Sequence, residues 1–379
     1  MHGELSCGSS FLSYFGLLSH LNQIVQCAAF YYFGYAVCCR RGWIVNMTML
    51  KFDEQKQIDS VAGALGLRGQ IEEAVDTLCR RGCREAYYLG IGGTYASALQ
   101  AEAHGRGKSA FPVFAENAAR YITSGNRRVG KGSAVVISSV TGTTPEMLEA
   151  VKRAKAAGAL VLGFVDDAAA PLAGLVDFEI AYPGCEQLKF FMAADRFFWN
   201  NGDFPEYVEY HREMEQYLPR VLAEAEKKAD EFGKEFAQRH HADPIHYFVG
   251  AGSQYGAAYS YAMCYWEEQH WLRAKAVHAG EFFHGTLEII DRDTPVTVFL
   301  GEDAERPLAE RVANFLPRIC GNFTLIDSRD YELAGIRPEY RGSLSHLVTH
   351  VVTQRIDAHI ELLNRHPMEI RRYYRCLDY

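Results

Sequence analysis

No stretch of this 379-residue chain is a clean apolar run long enough to cross a bilayer. A transmembrane helix needs about 20 predominantly apolar residues. The most apolar segment, residues 11–39, is interrupted by His20, Asn22, Gln23 and Gln26 and closed by Arg40 and Arg41. No basic segment precedes it, so it does not read as a secretory signal either. The texture changes to amphipathic helix at "MTMLKFDEQKQIDS", from Met47. Residues 1–46 are therefore expected to be an upstream extension, of the kind a misplaced start codon produces, that contributes nothing to the fold.

An excess of positive charge is also missing. The formal net charge is -8 with both signs interspersed, which leaves no global field for nucleic acid or an anionic membrane, so a small anion would need a local site. No helix-turn-helix segment or basic extension is present. The 10 cysteines run from Cys7 to Cys376 without paired metal-type spacings, and nothing near Cys38–Cys39 completes a zinc set, which reads as reduced thiols in a cytoplasm. What is there is ordinary globular composition, 48% hydrophobic and 23% charged, enough for one large core or two medium ones.

The chain then repeats one grammar. "REAYYLGIGG", residues 84–93, is a short apolar run that closes in glycines, and "TYASALQAEAHGRG" after it has helical periodicity. "KGSAVVISSVTGTTPEMLEAVKRAKAAGA" is again strand, turn and helix, and "LVLGFVDDAAAPLAGLVDFEIAY" adds two strands. A polar helical segment follows over residues 201–239. The pattern then restarts at "DPIHYFVGAGSQYGAAYSYAMCYWEEQHWL", and "TPVTVFLGEDAERPLAERVANFLPRICGNFTLID" supplies strand, helix and strand. Residues 87–98 and 246–258 align as an internal repeat. Strands alternating with helices imply α/β architecture, a doubly wound, mostly parallel sheet covered by helices, occurring twice.

In such sheets ligands sit beyond the carboxyl ends of the strands, where helix N-termini favour anions. "SSVTGTTPE" places Ser138, Ser139, Thr141, Thr143 and Thr144 around Gly142, with no lysine. That excludes a Walker-type triphosphate site, and neither glycine turn matches a dinucleotide fingerprint. Helix capping alone explains a single Ser/Thr turn. Two such turns in one module, the other at Gly92-Gly93-Thr94, point instead to a phosphate monoester.

"GIGGTYASA", "SSVTGTTPE", "GAGSQYGAA" and "HAGEFFHGTLEI" together resemble a pair of sugar isomerase (SIS) domains, as in the isomerase half of glucosamine-6-phosphate synthase. The similarity is greater to deglycases of 6-phosphorylated fructosamines and extends to the terminal "HPMEIRRYYRCLDY". It implies N-terminal helices over 47–80, a first SIS domain over 81–200, a helical connector over 201–239, and a second SIS domain with its tail over 240–379. It further implies phosphate contacts from Gly93, Thr94, Ser139, Thr141 and Thr144, and catalytic roles for Glu268 and His284. The histidine commonly enters from a neighbouring subunit in this family, so a homodimer is implied. Tyr265 stands where the synthase has lysine, and no glutaminase domain is present, which argues against glutamine-dependent amination.

The implied substrate is a phosphorylated sugar-amine. His284, with an ordinary pKa of about 6.5, suits ring opening. Glu268 suits the C1–C2 proton shuttle that converts ketosamine to aldimine, with partial burial expected to raise its basicity. No cofactor and no metal is expected. Three other readings stay open: a phosphosugar aldose–ketose isomerase, a sugar-phosphate sensor without catalysis, and metal sites. The metal sets are the paired Glu267-x-x-His270 and Glu281-x-x-His284, and His278, Glu281 and His284 together. Glu281 is assigned a supporting role beside His284. Phe282 and Phe283 read equally well as core.

Overall fold

A computed structural model describes residues 49–378; the expected extension over residues 1–46 lies outside the described residues. From Leu50 onward the chain forms one compact unit. In the first half, β1 (Glu85–Gly90), β2 (Val113–Asn117), β3 (Ser133–Ser139), β4 (Leu160–Val165) and β5 (Phe178–Ala181) make a parallel sheet in the order β2-β1-β3-β4-β5. In the second, β6 (His246–Gly250), β7 (Ala274–His278), β8 (Val296–Leu300) and β9 (Phe323–Asp327) make a parallel sheet in the order β7-β6-β8-β9.

The first sheet is covered on both faces, which is why its strands read as unbroken apolar runs. Alternation sorts them: Tyr88, Val136, Leu162 and Phe164 face the helices Arg68–Arg80 and Glu186–Asn200. Tyr87, Val135, Ile137 and Val161 face Ala118–Ser124 and Pro145–Ala156. The edge strands β2 and β7 were not anticipated. Their burial is mixed, so their sequences, "VFAEN" and "AKAVH", lack the continuous apolar signal of the central strands.

The repeat seen in sequence is also a contact. The helices that follow β1 and β6, Gly93–Lys108 and Ser253–Ser260, pack on each other. Gly256 permits the approach, since a Cβ there would lie 2.6 Å from the Ala96 carbonyl oxygen. The 34-residue helix Tyr207–His240 runs along Ser345–Asn364. Buried Arg355 joins that helix pair, its guanidinium donating to Asp230 at 2.7 and 2.9 Å and to the Leu50 carbonyl at 2.7 Å. Among the described residues no helix is long and apolar enough to cross a membrane.

Candidate functional site

In the first sheet the strand order reverses between β1 and β3, so the turns leaving those two strands flank one crevice. The first turn passes through Gly92, at φ +61°, into the helix that begins with Gly93 and Thr94. There the Thr94 and Ser97 hydroxyls donate to Glu186, at 3.0 and 2.7 Å. Glu186 stands in the first turn of helix Glu186–Asn200, where a carboxylate also complements the helix dipole.

The second turn is built around Gly142, at φ +59°, where a Cβ would collide with Ala170. Side chains are thus excluded from the middle of the turn while hydroxyls line it. Ser139 Oγ accepts the Gly142 N–H at 3.0 Å and keeps its own proton. Thr144 occupies the N-cap of Pro145–Ala156 but makes no side-chain capping bond, so capping does not account for its hydroxyl. Thr141 Oγ1 accepts from Arg375 of the C-terminal tail at 3.3 Å. Gly93 and Thr94 thus stand at the turn leaving β1, and Ser139, Thr141 and Thr144 at the turn leaving β3, the two strands on either side of the switch point.

The corresponding crevice of the second sheet, between β6 and β8, is filled from within. Asp303 Oδ2 accepts the Ser253 N–H at 3.0 Å and the Ser253 hydroxyl at 2.8 Å. Glu305 Oε2 accepts the Gly252 N–H at 2.9 Å. A hydrogen bond from His278, then the Gly252 N–H, hold the Glu305 carboxyl below its ordinary range against the opposing effect of burial.

Glu268 follows a π-helical stretch, Tyr261–Glu267, and its N–H donates to the Met263 carbonyl five residues back. Such widened turns recur at functional sites. Its Oε1 accepts Arg371 Nε at 2.8 Å, with the carboxylate side chain 29% exposed. Cys264, on the same stretch, has its thiol pushed up to about 12 by burial, with the Glu268 and Glu186 carboxylates adding to the shift. It lies against the start of the first-turn helix at Gly93. The C-terminal tail thus touches both the hydroxyl turn, through Arg375, and Glu268, through Arg371.

Residues 278–290 are not one helix. β7 ends at His278, and two 3₁₀ turns, Phe282–His284 and Thr286–Ile289, flank Gly285. Phe282 is fully buried, and Phe283 stacks edge-on against Phe282 and Phe315 at 5.3 Å. Phe282 is core and Phe283, partly buried, packs against that core, and the two hold the turn that presents His284. Glu281 and His284 are exposed, and neither makes a side-chain hydrogen bond or ion pair among the described residues. Within one chain, nothing of that kind joins His284 to Glu268.

The metal readings do not assemble. His270 is buried against Asp357, 3.0 Å away. His278 Nδ1 accepts the Gly280 N–H at 3.1 Å. Among the described residues the one close group of potential ligands is His240, Asp243 and His246. Its atoms already have partners: Asp243 Oδ2 lies 2.7 and 2.9 Å from the two Nδ1 atoms, His246 Nε2 lies 2.8 Å from the Thr297 hydroxyl, and Arg239 Nε donates to His240 Nε2 at 2.8 Å. That is a closed polar knot within the fold.

Two parallel helix-covered sheets, the first with a hydroxyl-rich turn beside its switch point, define a duplicated doubly wound α/β protein. The SIS domain family profile matches residues 81–187. Fructosamine deglycase FrlB of Bacillus subtilis (strain 168) is 31% identical over 263 residues, covering 66% of this chain and 79% of that relative. Fructoselysine 6-phosphate deglycase of Escherichia coli (strain K12) is 23% identical over 309 residues, 80% of this chain and 89% of its own. A solved Bacillus subtilis structure described as a candidate phosphosugar isomerase matches with a TM-score of 0.76 at 26% identity, over 84% of this chain and 99% of that one. The C-terminal domain of glucosamine-fructose-6-phosphate aminotransferase from Francisella tularensis shares the fold, with a TM-score of 0.70 at 14% identity over 83% and 95% of the two chains. The chain belongs to the SIS-domain family.

Sequence reasoning passed over Glu186, Arg371, Arg375 and the Asp303–Glu305 pair. Signals for some were present: "EDAE" follows β8 after one glycine, and "RRYYR" puts three arginines within five residues. Nothing local marked Glu186 as a partner of Thr94.

Proposed function

We propose that the chain is a deglycase that cleaves 6-phosphorylated fructosamines, such as fructose-amino acid 6-phosphates, to glucose 6-phosphate and the free amine or amino acid. The observation that carries this reading is 31% identity to a fructosamine deglycase in a chain whose tail ties Glu268 to the hydroxyl turn. In it, Gly93, Thr94, Ser139, Thr141 and Thr144 hold the phosphate, aided by the helix N-termini. His284, exposed in the single chain, enters the site of a second copy in a cytoplasmic homodimer, and Glu281 supports it there.

The reaction runs in three stages. His284 moves a proton between the anomeric hydroxyl and the ring oxygen, opening the sugar. Glu268 then removes a proton from C1 and returns it at C2 through the enaminol, while the C2 oxygen gains a proton and the amine nitrogen loses one, converting ketosamine to aldimine. Oε1 stays on Arg371, while Oε2, without a hydrogen-bond partner among the described residues, carries the proton. Water adds to the C1 imine, the C1–N bond breaks, and the amine leaves with the proton it gains. None of these steps asks for electron transfer or a strong Lewis acid.

The test is a panel of fructosamine 6-phosphates incubated with purified protein, with glucose 6-phosphate release followed through a coupled dehydrogenase. Release from at least one member is expected. Glu268→Gln and His284→Asn should each lower turnover by at least about 10²-fold to 10⁴-fold while leaving phosphosugar binding nearly unchanged. No release with intact phosphosugar binding would favour a sensor, and aldose–ketose interconversion alone would favour an isomerase. A Glu281→Gln variant more damaged than Glu268→Gln would move the base to Glu281.

A further inference from the structure

We propose that Arg375, in the C-terminal tail, is a phosphate-binding residue of this site, closing over the hydroxyl turn and supplying the cation that the turn lacks. This rests on reading residues 139–144 as the phosphate turn. A phosphate monoester carries roughly -1.5 to -2 charge at neutral pH. Hydroxyls contribute no formal charge, and a helix N-terminus is equivalent to only about +0.5. From Ser138 to Glu146 the chain has no lysine or arginine.

Arg375 reaches this turn from 234 residues away, with Nη2 donating to Thr141 Oγ1 at 3.3 Å. It forms no ion pair among the described residues, and its only other neighbour of note is the face of Tyr374, 5.0 Å from the guanidinium carbon. The other tail arginines are engaged: Arg371 with Glu268, and Arg372 over the Trp271 ring at 4.3 Å. Among the described residues Arg375 is thus an exposed cation without an ion pair, whose one hydrogen-bond partner is a hydroxyl of the proposed phosphate turn. A guanidinium fork fits phosphate oxygens two at a time, which an ammonium does not.

The tail has a second anchor. Arg371 Nε on Glu268 lies four residues earlier, and Cys376 Sγ donates to the Arg371 carbonyl at 3.7 Å. Phosphate captured by Arg375 would fix the tail at one end and hold Arg371 on Glu268 at the other. Arg371 is accordingly a positioning residue, and an unphosphorylated sugar would leave the tail without its anion.

The experiment is calorimetric titration of the full chain with glucose 6-phosphate, with glucose as control, for wild type, Arg375→Gln, Arg375→Lys and Thr141→Val. Arg375 is exposed, so its variants should keep the wild-type melting temperature. Expected are a loss of at least about 30-fold in affinity for Arg375→Gln and about 5-fold for Arg375→Lys, which keeps the charge but not the fork. Arg375→Gln binding within twofold of wild type, while Thr141→Val binds poorly, would overturn the tail's role and leave the phosphate turn standing. Absence of binding by the wild-type chain would overturn the turn itself, and the tail's role with it.

Discussion

The turn that leaves β3 and the turn that leaves β8 stand at the same place in their sheets, each beside the first turn of a paired helix, and they differ in charge. The first offers Ser139, Thr141 and Thr144; the second offers Asp303 and Glu305. The acidic turn folds back on the free N–H groups at Gly252 and Ser253. A helix N-terminus of this kind attracts an anion, and the second module satisfies it with its own carboxylates. The first module's hydroxyl turn brings no carboxylate to its paired helix; Glu186, from another helix, meets that helix through the Thr94 and Ser97 hydroxyls, and the hydroxyl turn is the one proposed to take an anion from outside. One fold used twice thereby gives one hydroxyl turn, proposed to bind phosphate, and one turn that closes on its own carboxylates.

The largest expected effect comes from copying the second turn's chemistry into the first. Thr141→Asp places a carboxylate in the hydroxyl turn, within reach of Arg375, and should lower affinity for glucose 6-phosphate more than about 100-fold by like-charge repulsion with phosphate. Calorimetry checks it, with the melting temperature expected to hold because Thr141 is only half-buried.

The converse change is smaller and of a different kind. Asp303→Ala removes the partner of the Ser253 N–H and hydroxyl, leaving buried donors unpaired at a cost of about 2 kcal/mol. Urea unfolding should show that loss while glucose 6-phosphate affinity stays within twofold. A variant that loses affinity without losing stability would break the distinction between the two turns.

The last effect is absent at neutral pH and concerns the joint between the halves. Burial brings His211 down to about 4 and His346 to about 3. His346 stacks on Phe191 of the first half at 4.0 Å, and His211 packs on Tyr207 at 4.3 Å. In the unfolded chain both take up protons near pH 6.5, whereas folded they stay neutral until about pH 4. The unfolded state therefore binds more protons across that window, and stability should be level above about pH 7 and decline as pH falls from 6.5 toward 4. Each neutral histidine adds about 1.4 kcal/mol per pH unit to that decline. His346→Leu should make the slope shallower in urea midpoints taken from pH 7.5 to 4.5; equal slopes would remove His346 from the explanation.

How much of this was readable beforehand follows from the range of each interaction. β1, β3, β4, β6 and β8 announce themselves as apolar runs because both their faces are buried, and glycine marks where the first turns begin. The edge strands β2 and β7 expose part of their surface and carry polar residues, so periodicity misses them. The hydroxyl density of residues 138–144 was visible because it is local. Glu186 pairs with Thr94 across 92 residues and Arg375 with Thr141 across 234, and no spacing rule spans such distances. Glu268 and His284 were placed by resemblance, and the chain turns at Gly285, at φ +155°, directly after His284.

The most direct measurement is the stoichiometry of glucose 6-phosphate binding to the full chain by calorimetry. The account predicts one molecule per chain in the wild type and in Asp303→Ala, and no measurable binding in Thr141→Asp. Two molecules per chain, or binding that survives Thr141→Asp and disappears in Asp303→Ala, would contradict it.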